Sequence, residues 1–265
     1  MNLIHHVKNA AILTLACVVI GSLSAHAQTI LTETFNTGTA GTTFIGKTVS
    51  GGGAAWVDAT GKNEVSYTNR YANASGNFTS QYANLFVLAG ASDAFYVNYD
   101  LSSLAAFTVN IGQIQITSAG SCYLGARETS LTSTYCTYQF AYTATGLNIS
   151  YVDSAGALTL VGTTTTRYLT NVSLLVTDTT QQLYINGTAF DSIARATQAV
   201  AGGTAQYFGI DVTASASVNT GLYLDTITYT VVPEPVAALS MGMGLIGLAL
   251  YDRASKRRKT ESFNK

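Results

Sequence analysis

Between residues 28 and 231 the chain alternates polar and apolar positions in short runs of period two, rich in Thr, Val, Tyr and Gly, with no proline and no sustained helical period. That pattern predicts strands throughout. In TYCTYQFAYT, Cys136, Tyr138, Phe140 and Tyr142 fall on one face and Thr137, Gln139 and Ala141 on the other, as in a half-buried antiparallel strand. In FTVNIGQIQIT the apolar set Phe107, Val109 and Ile111 changes phase to Ile114 and Ile116 across Gly112, which predicts a bulge or bend there. Further strands are expected near Leu31, Asn84, Ala94, Leu147, Val172, Gln181, Gln206 and Leu222, with turns at Asp153-Ser154-Ala155-Gly156 and Asn186-Gly187. Roughly a dozen short strands suit an all-β, antiparallel two-sheet sandwich built as one domain. A parallel β-helix is the rival, and no regular repeat of the needed length supports it.

The two ends break the pattern. Lys8 precedes an apolar run from 10 to 23, followed by Ala25-His26-Ala27, so residues 1–27 read as a secretory signal cut by signal peptidase after Ala27. The run is shorter than the roughly 20 residues of a stable membrane span. At the other end Val232-Pro233-Glu234-Pro235 holds the chain's 2 prolines, which end the folded domain and open a short extended spacer. An apolar run from 236 to 251 follows, long enough to cross or nearly cross a bilayer as a helix, and then Arg253, Lys256, Arg257, Arg258 and Lys259. The cations are expected to stay cytoplasmic, with 260–265 as a short tail and the amino-terminal side facing outward.

The Val-Pro-Glu-Pro element, the glycine-containing apolar helix and the basic cluster over 232–259 resemble the PEP-CTERM sorting signal of Gram-negative bacteria. The resemblance implies recognition by an exosortase in a species that makes exopolysaccharide, with release or attachment outside the cell. A permanent single-span anchor is the alternative. Gly242, Gly244 and Gly247 match a dinucleotide-loop spacing, but they follow no strand, so close helix packing is the better reading. The strand order also resembles the concanavalin A-like jelly roll of laminin-G domains and legume lectins. The likeness is carried by the opening LTETFN, the glycine-rich approach to Trp56, the central ARETSLTSTYCTYQFAY, the hairpin VSLLVTDTTQQLYINGTAF and the closing LYLDTITYT. It implies a fold and not an activity.

Charge and residue inventory narrow the chemistry. Residues 28–231 carry 6 basic groups against 11 acidic ones, with no basic cluster outside the tail, so nucleic-acid binding has no electrostatic footing. All 3 histidines, His5, His6 and His26, lie in the signal, which excludes a Ser-His-Asp triad or a histidine metal site from the processed chain. Once Cys17 leaves with the signal, Cys122 and Cys136 remain as a pair in an oxidising compartment, and a disulfide is expected, with two separate buried thiols as the alternative.

First and last strands lie side by side in jelly rolls, which would bring Glu33 close to Asp225 and invites a structural calcium ion. Carbohydrate or exopolysaccharide binding is the activity consistent with the family that the chain resembles, since sugar rings stack on aromatic faces and carboxylates and amides take their hydroxyls. Trp56, Tyr123, Arg127, Glu128, Tyr135 and Asp153 are the candidates, the segment from Arg127 to Tyr135 reading as a polar loop between strands. A glycoside hydrolase needs paired carboxyl groups, and Glu33, Glu64 and Glu128 are not in the E-x-D-x-E arrangement of jelly-roll glucanases. The expectation is therefore a non-enzymatic surface or matrix protein, with a purely structural role as the runner-up and a polysaccharide-degrading enzyme third. Asn73, Asn77, Asn148, Asn171 and Asn186 begin N-x-S/T triplets, which arise by chance in a Thr-rich chain.

Overall fold

The computed structural model describes residues 28–59, 67–72, 76–128, 137–196 and 206–231. The expected signal, sorting segment and cytoplasmic tail, together with Tyr135 and Cys136, lie outside the described residues. No helix among the described residues is long and apolar enough to cross a membrane.

The described residues form strands β1 (Gln28–Glu33), β2 (Trp56–Asp58), β3 (Tyr67–Ala72), β4 (Tyr82–Val87), β5 (Ser92–Val97), β6 (Ala106–Ile116), β7 (Gly120–Glu128), β8 (Tyr138–Tyr142) and β9 (Leu147–Val152). They continue as β10 (Leu158–Thr163), β11 (Tyr168–Thr177), β12 (Thr180–Ile185), β13 (Thr188–Ala189), β14 (Arg195–Ala196), β15 (Tyr207–Ala214), β16 (Thr220–Leu224) and β17 (Ile227–Val231). A ten-stranded sheet runs β13-β12-β11-β6-β16-β4-β3, with β17 continuing β16 along β6, β1 beside β17 and β14 beside β12. A seven-stranded sheet runs β10-β9-β8-β7-β15-β5-β2. The expected side-by-side placement of first and last strands is present, and the architecture is an antiparallel two-sheet sandwich.

Alternation explains the layers. Phe107, Val109 and Ile111 of β6 and Leu174 and Val176 of β11 point inward from the larger sheet. Leu124, Phe140, Ile149, Phe208 and Ile210 answer from the smaller one, giving one continuous core. Polar ties add register to this apolar contact. Gln181 of β12 reaches across to β7, its Nε2 donating to the Ala126 carbonyl at 2.5 Å and its Oε1 accepting from the Ala126 N–H at 3.3 Å. Beside it the Tyr138 hydroxyl donates to Asp191, which also holds Arg195 at 2.6 Å.

Both expected turns form. Asp153 accepts from the Gly156 N–H at 2.9 Å, and Asn186 and Gly187 join β12 to β13 with φ of 53° and 75°. Those paired positive angles match the right-handed twist of the flanking strands. The exposed edge strand β10, with Leu158 and Leu160 open to solvent and none of its residues buried, is absent from the expected set.

Candidate functional site

The ten-stranded sheet creases at Gly112. Inward-facing residues of β6 pass from Ile111 to Ile114, those of β11 from Leu169 to Val172, and those of the β16–β17 rib from Leu224 to Ile227. Pairing keeps one register on both sides of the row: Gln113 and Ile111 face Thr170 and Val172, while Ile114 and Ile111 face Leu224 and Ile227. No residue is inserted, so the feature is a bend shared by three strands and not a bulge. Asn171 absorbs the bend with φ of 50°, a conformation that Asn tolerates better than most side chains. Gly112 donates its N–H to the Thr226 carbonyl at 2.7 Å, and a Cβ placed there would stand 3.4 Å from the Thr226 Cβ.

The crease divides the outer face of this sheet. On one side the segment around Phe78 folds over the strands, and its buried ring stacks on Tyr82 at 4.5 Å and meets Tyr168 and Tyr223 edge-on at 5.9 and 6.1 Å. The Tyr168 hydroxyl donates to the Asn77 carbonyl at 3.2 Å, which ties that cover down. On the other side the face is open, and a groove of about 330 Å³ is lined by Asn110, Gly112, Asn171, Ser173, Thr226 and Thr228 among others. The volume is at the small end of ligand pockets. The lining offers amides and hydroxyls and carries no ionisable side chain. Such a surface matches the hydroxyl groups of a sugar, each of which both donates and accepts.

Asp225 stands at the junction. Its neighbours on the rib, Leu224 and Ile227, are fully buried while Asp225 and Thr226 face outward. Its Oδ1 accepts from Ser80 at 3.2 Å and from Thr226 at 3.5 Å, and among the described residues its Oδ2 accepts no hydrogen bond. Burial raises its pKa above the usual carboxylate range, and the two hydroxyl donors oppose that rise.

Of the described residues expected to bind sugar, none lines the groove, and Trp56, Tyr123 and Asp153 belong to separate strands and turns. Trp56 is 1% exposed, caged by Phe35 at 5.6 Å and Phe44 at 5.4 Å, so its faces are core contacts and no stacking platform. Tyr123 lies on the outer face of the seven-stranded sheet, where its hydroxyl accepts from Gln139 Nε2 at 2.6 Å. Arg127 and Glu128 belong to the end of β7, not to a loop. Asp153 caps its own turn, its Oδ1 accepting from the Ala155 and Ala157 N–H groups at 2.9 and 2.8 Å.

The carboxylates expected to share calcium are parted by side-chain direction. Glu33 turns into the core, where Oε2 accepts from Trp56 Nε1 at 3.2 Å and Oε1 from the Phe35 N–H at 2.6 Å. Asp225 turns outward. Among the described residues no group of three or more His, Cys, Asp or Glu could hold a metal. The expected disulfide is likewise not part of the described structure. Cys122 is a free, fully buried thiol with Phe140 opposite it across β7 and β8. Burial and the nearby Asp211 push its pKa well above the ordinary thiol value.

Sequence reasoning located the crease but not the groove. The signal was available in the same phase change repeated at LTNV and LDTI, which marks three adjacent strands bending together.

No family model matches the chain, and no curated protein does. Among solved structures, it is similar to a conserved carbohydrate esterase from a Shiga toxin-encoding bacteriophage, at 12% identity and a TM-score of 0.50, over 78% of this chain and all (100%) of that one. It is also similar to an endo-acting O-glycanase structure from the human gut microbiota, at 7% identity and a TM-score of 0.45, over 78% of this chain and 100% of that one. A third is a legume lectin-like domain from Entamoeba histolytica, at 13% identity and a TM-score of 0.39, over 63% of this chain and 91% of that one. At such identities the first likeness speaks for the fold alone, a jelly-roll type of β-sandwich.

Proposed function

We propose that the chain is an exported, non-enzymatic cell-surface or matrix protein that binds a glycan in the crease groove. The observation that carries this reading is the groove itself, in which amide and hydroxyl side chains from β11, β6 and β17 converge on an open face without an ionisable group among them. A glycoside hydrolase needs a pair of carboxyl groups at the substrate, and the lining supplies none, the single carboxylate of Asp225 standing beside it. Export and exosortase sorting rest on the two terminal segments of the sequence, and they fit a ligand met outside the cell. Retention of the full-length protein on the host's own exopolysaccharide tests the reading. We expect saturable, sugar-competed binding that is lost in the double variant Asn110→Ala/Ser173→Ala, and equal retention of that variant would refute the groove.

A second reading, a purely structural matrix protein, is favoured by the edge strand β10, whose Leu158 and Leu160 are 51% and 58% exposed. Absence of retention on the polymer, with self-association rising with concentration, would support it over the first.

A further inference from the structure

We infer that Asp225 sets the ligand class of the groove: its unpartnered Oδ2 accepts a hydroxyl of a neutral sugar, and its charge turns away uronic-acid and other anionic polymers. The inference rests on the glycan reading above and narrows it.

Position comes first. Asp225 is not itself a lining residue, but it is bonded in the chain to Thr226, which is, and both face outward at the crease row. The Ser80 and Thr226 hydroxyls both bind Oδ1, so the carboxylate is held in one orientation while its second oxygen is left for a ligand. A fixed carboxylate with one open oxygen is a strong hydroxyl acceptor, because the bond is charge-assisted and the cost of ordering the side chain is already met.

Charge comes second. The lining has no cation to receive a sugar carboxylate or sulfate. Arg167, on the chain just before β11, is committed elsewhere, with its guanidinium 4.2 Å over the Tyr142 ring and its donors on the Thr143 and Ala144 carbonyls. An anionic chain in the groove would therefore meet Asp225 with nothing to offset the repulsion. The covered aromatic half beyond the crease closes the groove on that side, so a ligand lying over Thr226 passes beside the carboxylate.

The test measures retention of the full-length protein on neutral polymers (dextran, galactomannan, xylan) and anionic ones (alginate, hyaluronan), for wild type, Asp225→Asn and Asn110→Ala/Ser173→Ala. Asp225→Asn keeps an acceptor for Ser80, so folding is expected to survive, which a thermal melt checks. We expect wild type to bind at least one neutral polymer and neither anionic one. Asp225→Asn should bind the neutral polymer about tenfold more weakly, the loss of one charge-assisted hydrogen bond, and should tolerate the anionic polymers better. Wild-type retention on alginate or hyaluronan overturns the inference, as does a folded Asp225→Asn with unchanged neutral binding. If the double variant still binds as wild type does, or if no polymer is retained, the glycan reading of the groove falls, and the inference with it.

Discussion

Glu33 and Trp56, 23 positions apart in sequence, meet in the core, where the indole N–H donates to the Glu33 carboxylate at 3.2 Å. The other carboxylate oxygen takes the Phe35 N–H, and Phe35 holds φ of 54°, an uncommon value for a bulky side chain. One buried acid therefore satisfies the ring nitrogen and fixes the strained residue whose ring packs on Trp56. Glu33→Gln presents an amide donor to one of these donors and is expected to destabilise the fold by about 1–3 kcal/mol. Because Trp56 is the only tryptophan of the chain, its fluorescence reports unfolding in denaturant without labelling. A midpoint equal to wild type would show that the carboxylate is dispensable.

Cys122 is buried and held well above its ordinary pKa, so the native thiol is starved of the thiolate that reacts. Iodoacetamide should leave Cys122 unmodified in native buffer and modify it fully in denaturant, as read by peptide mass. Rapid native labelling, or a peptide joined to Cys136 without reduction, would contradict this.

Asn171 bends β11 in the left-handed region opposite Gly112. Asn171→Gly should be nearly neutral, whereas Asn171→Val should cost about 1–2 kcal/mol because a β-branched side chain strains there. Equal stability of the two variants, measured by denaturant titration, would remove the backbone from the explanation of the crease.

Burial raises the Asp225 pKa in the native state. The native protein therefore keeps this proton at pH values where the unfolded chain has released it. The associated stability is fully present below the ordinary carboxylate value and is lost as pH rises through the native one. Asp225→Asn has no such penalty. Its melting temperature is expected to exceed that of wild type at about pH 7 and to converge with it near about pH 3. A difference that is constant across that range would mean that something other than ionisation separates the two proteins.

The fold was legible where burial imposes a period. The alternation in FTVNIGQIQIT and in TYCTYQFAYT follows from one face meeting the core, and the buried pattern of β6 reproduces the phase change at Gly112. Asn186-Gly187 was legible because both residues tolerate positive φ. The site was less legible. Aromatic and charged residues draw attention as sugar ligands, yet Trp56 is the sort of large apolar side chain that fills a core, and Asp153 serves its own turn. The groove is made of Asn, Ser and Thr, residues that are common on any outward strand face in this chain and become a site only when three strands bend in one row. Pairing of β6 with both β11 and the β16–β17 rib is a long-range relationship that local periodicity does not contain.

Mapping the ligand on the molecule tests the central claim most directly. Isotope-labelled full-length protein would be titrated with oligosaccharides of the retained polymer while backbone amide shifts are followed. We expect the largest saturable shifts at Asn110, Gly112, Asn171, Ser173 and Thr226. Shifts centred on Tyr123 and Gln139 of the seven-stranded sheet, with the crease residues unmoved, would contradict the account.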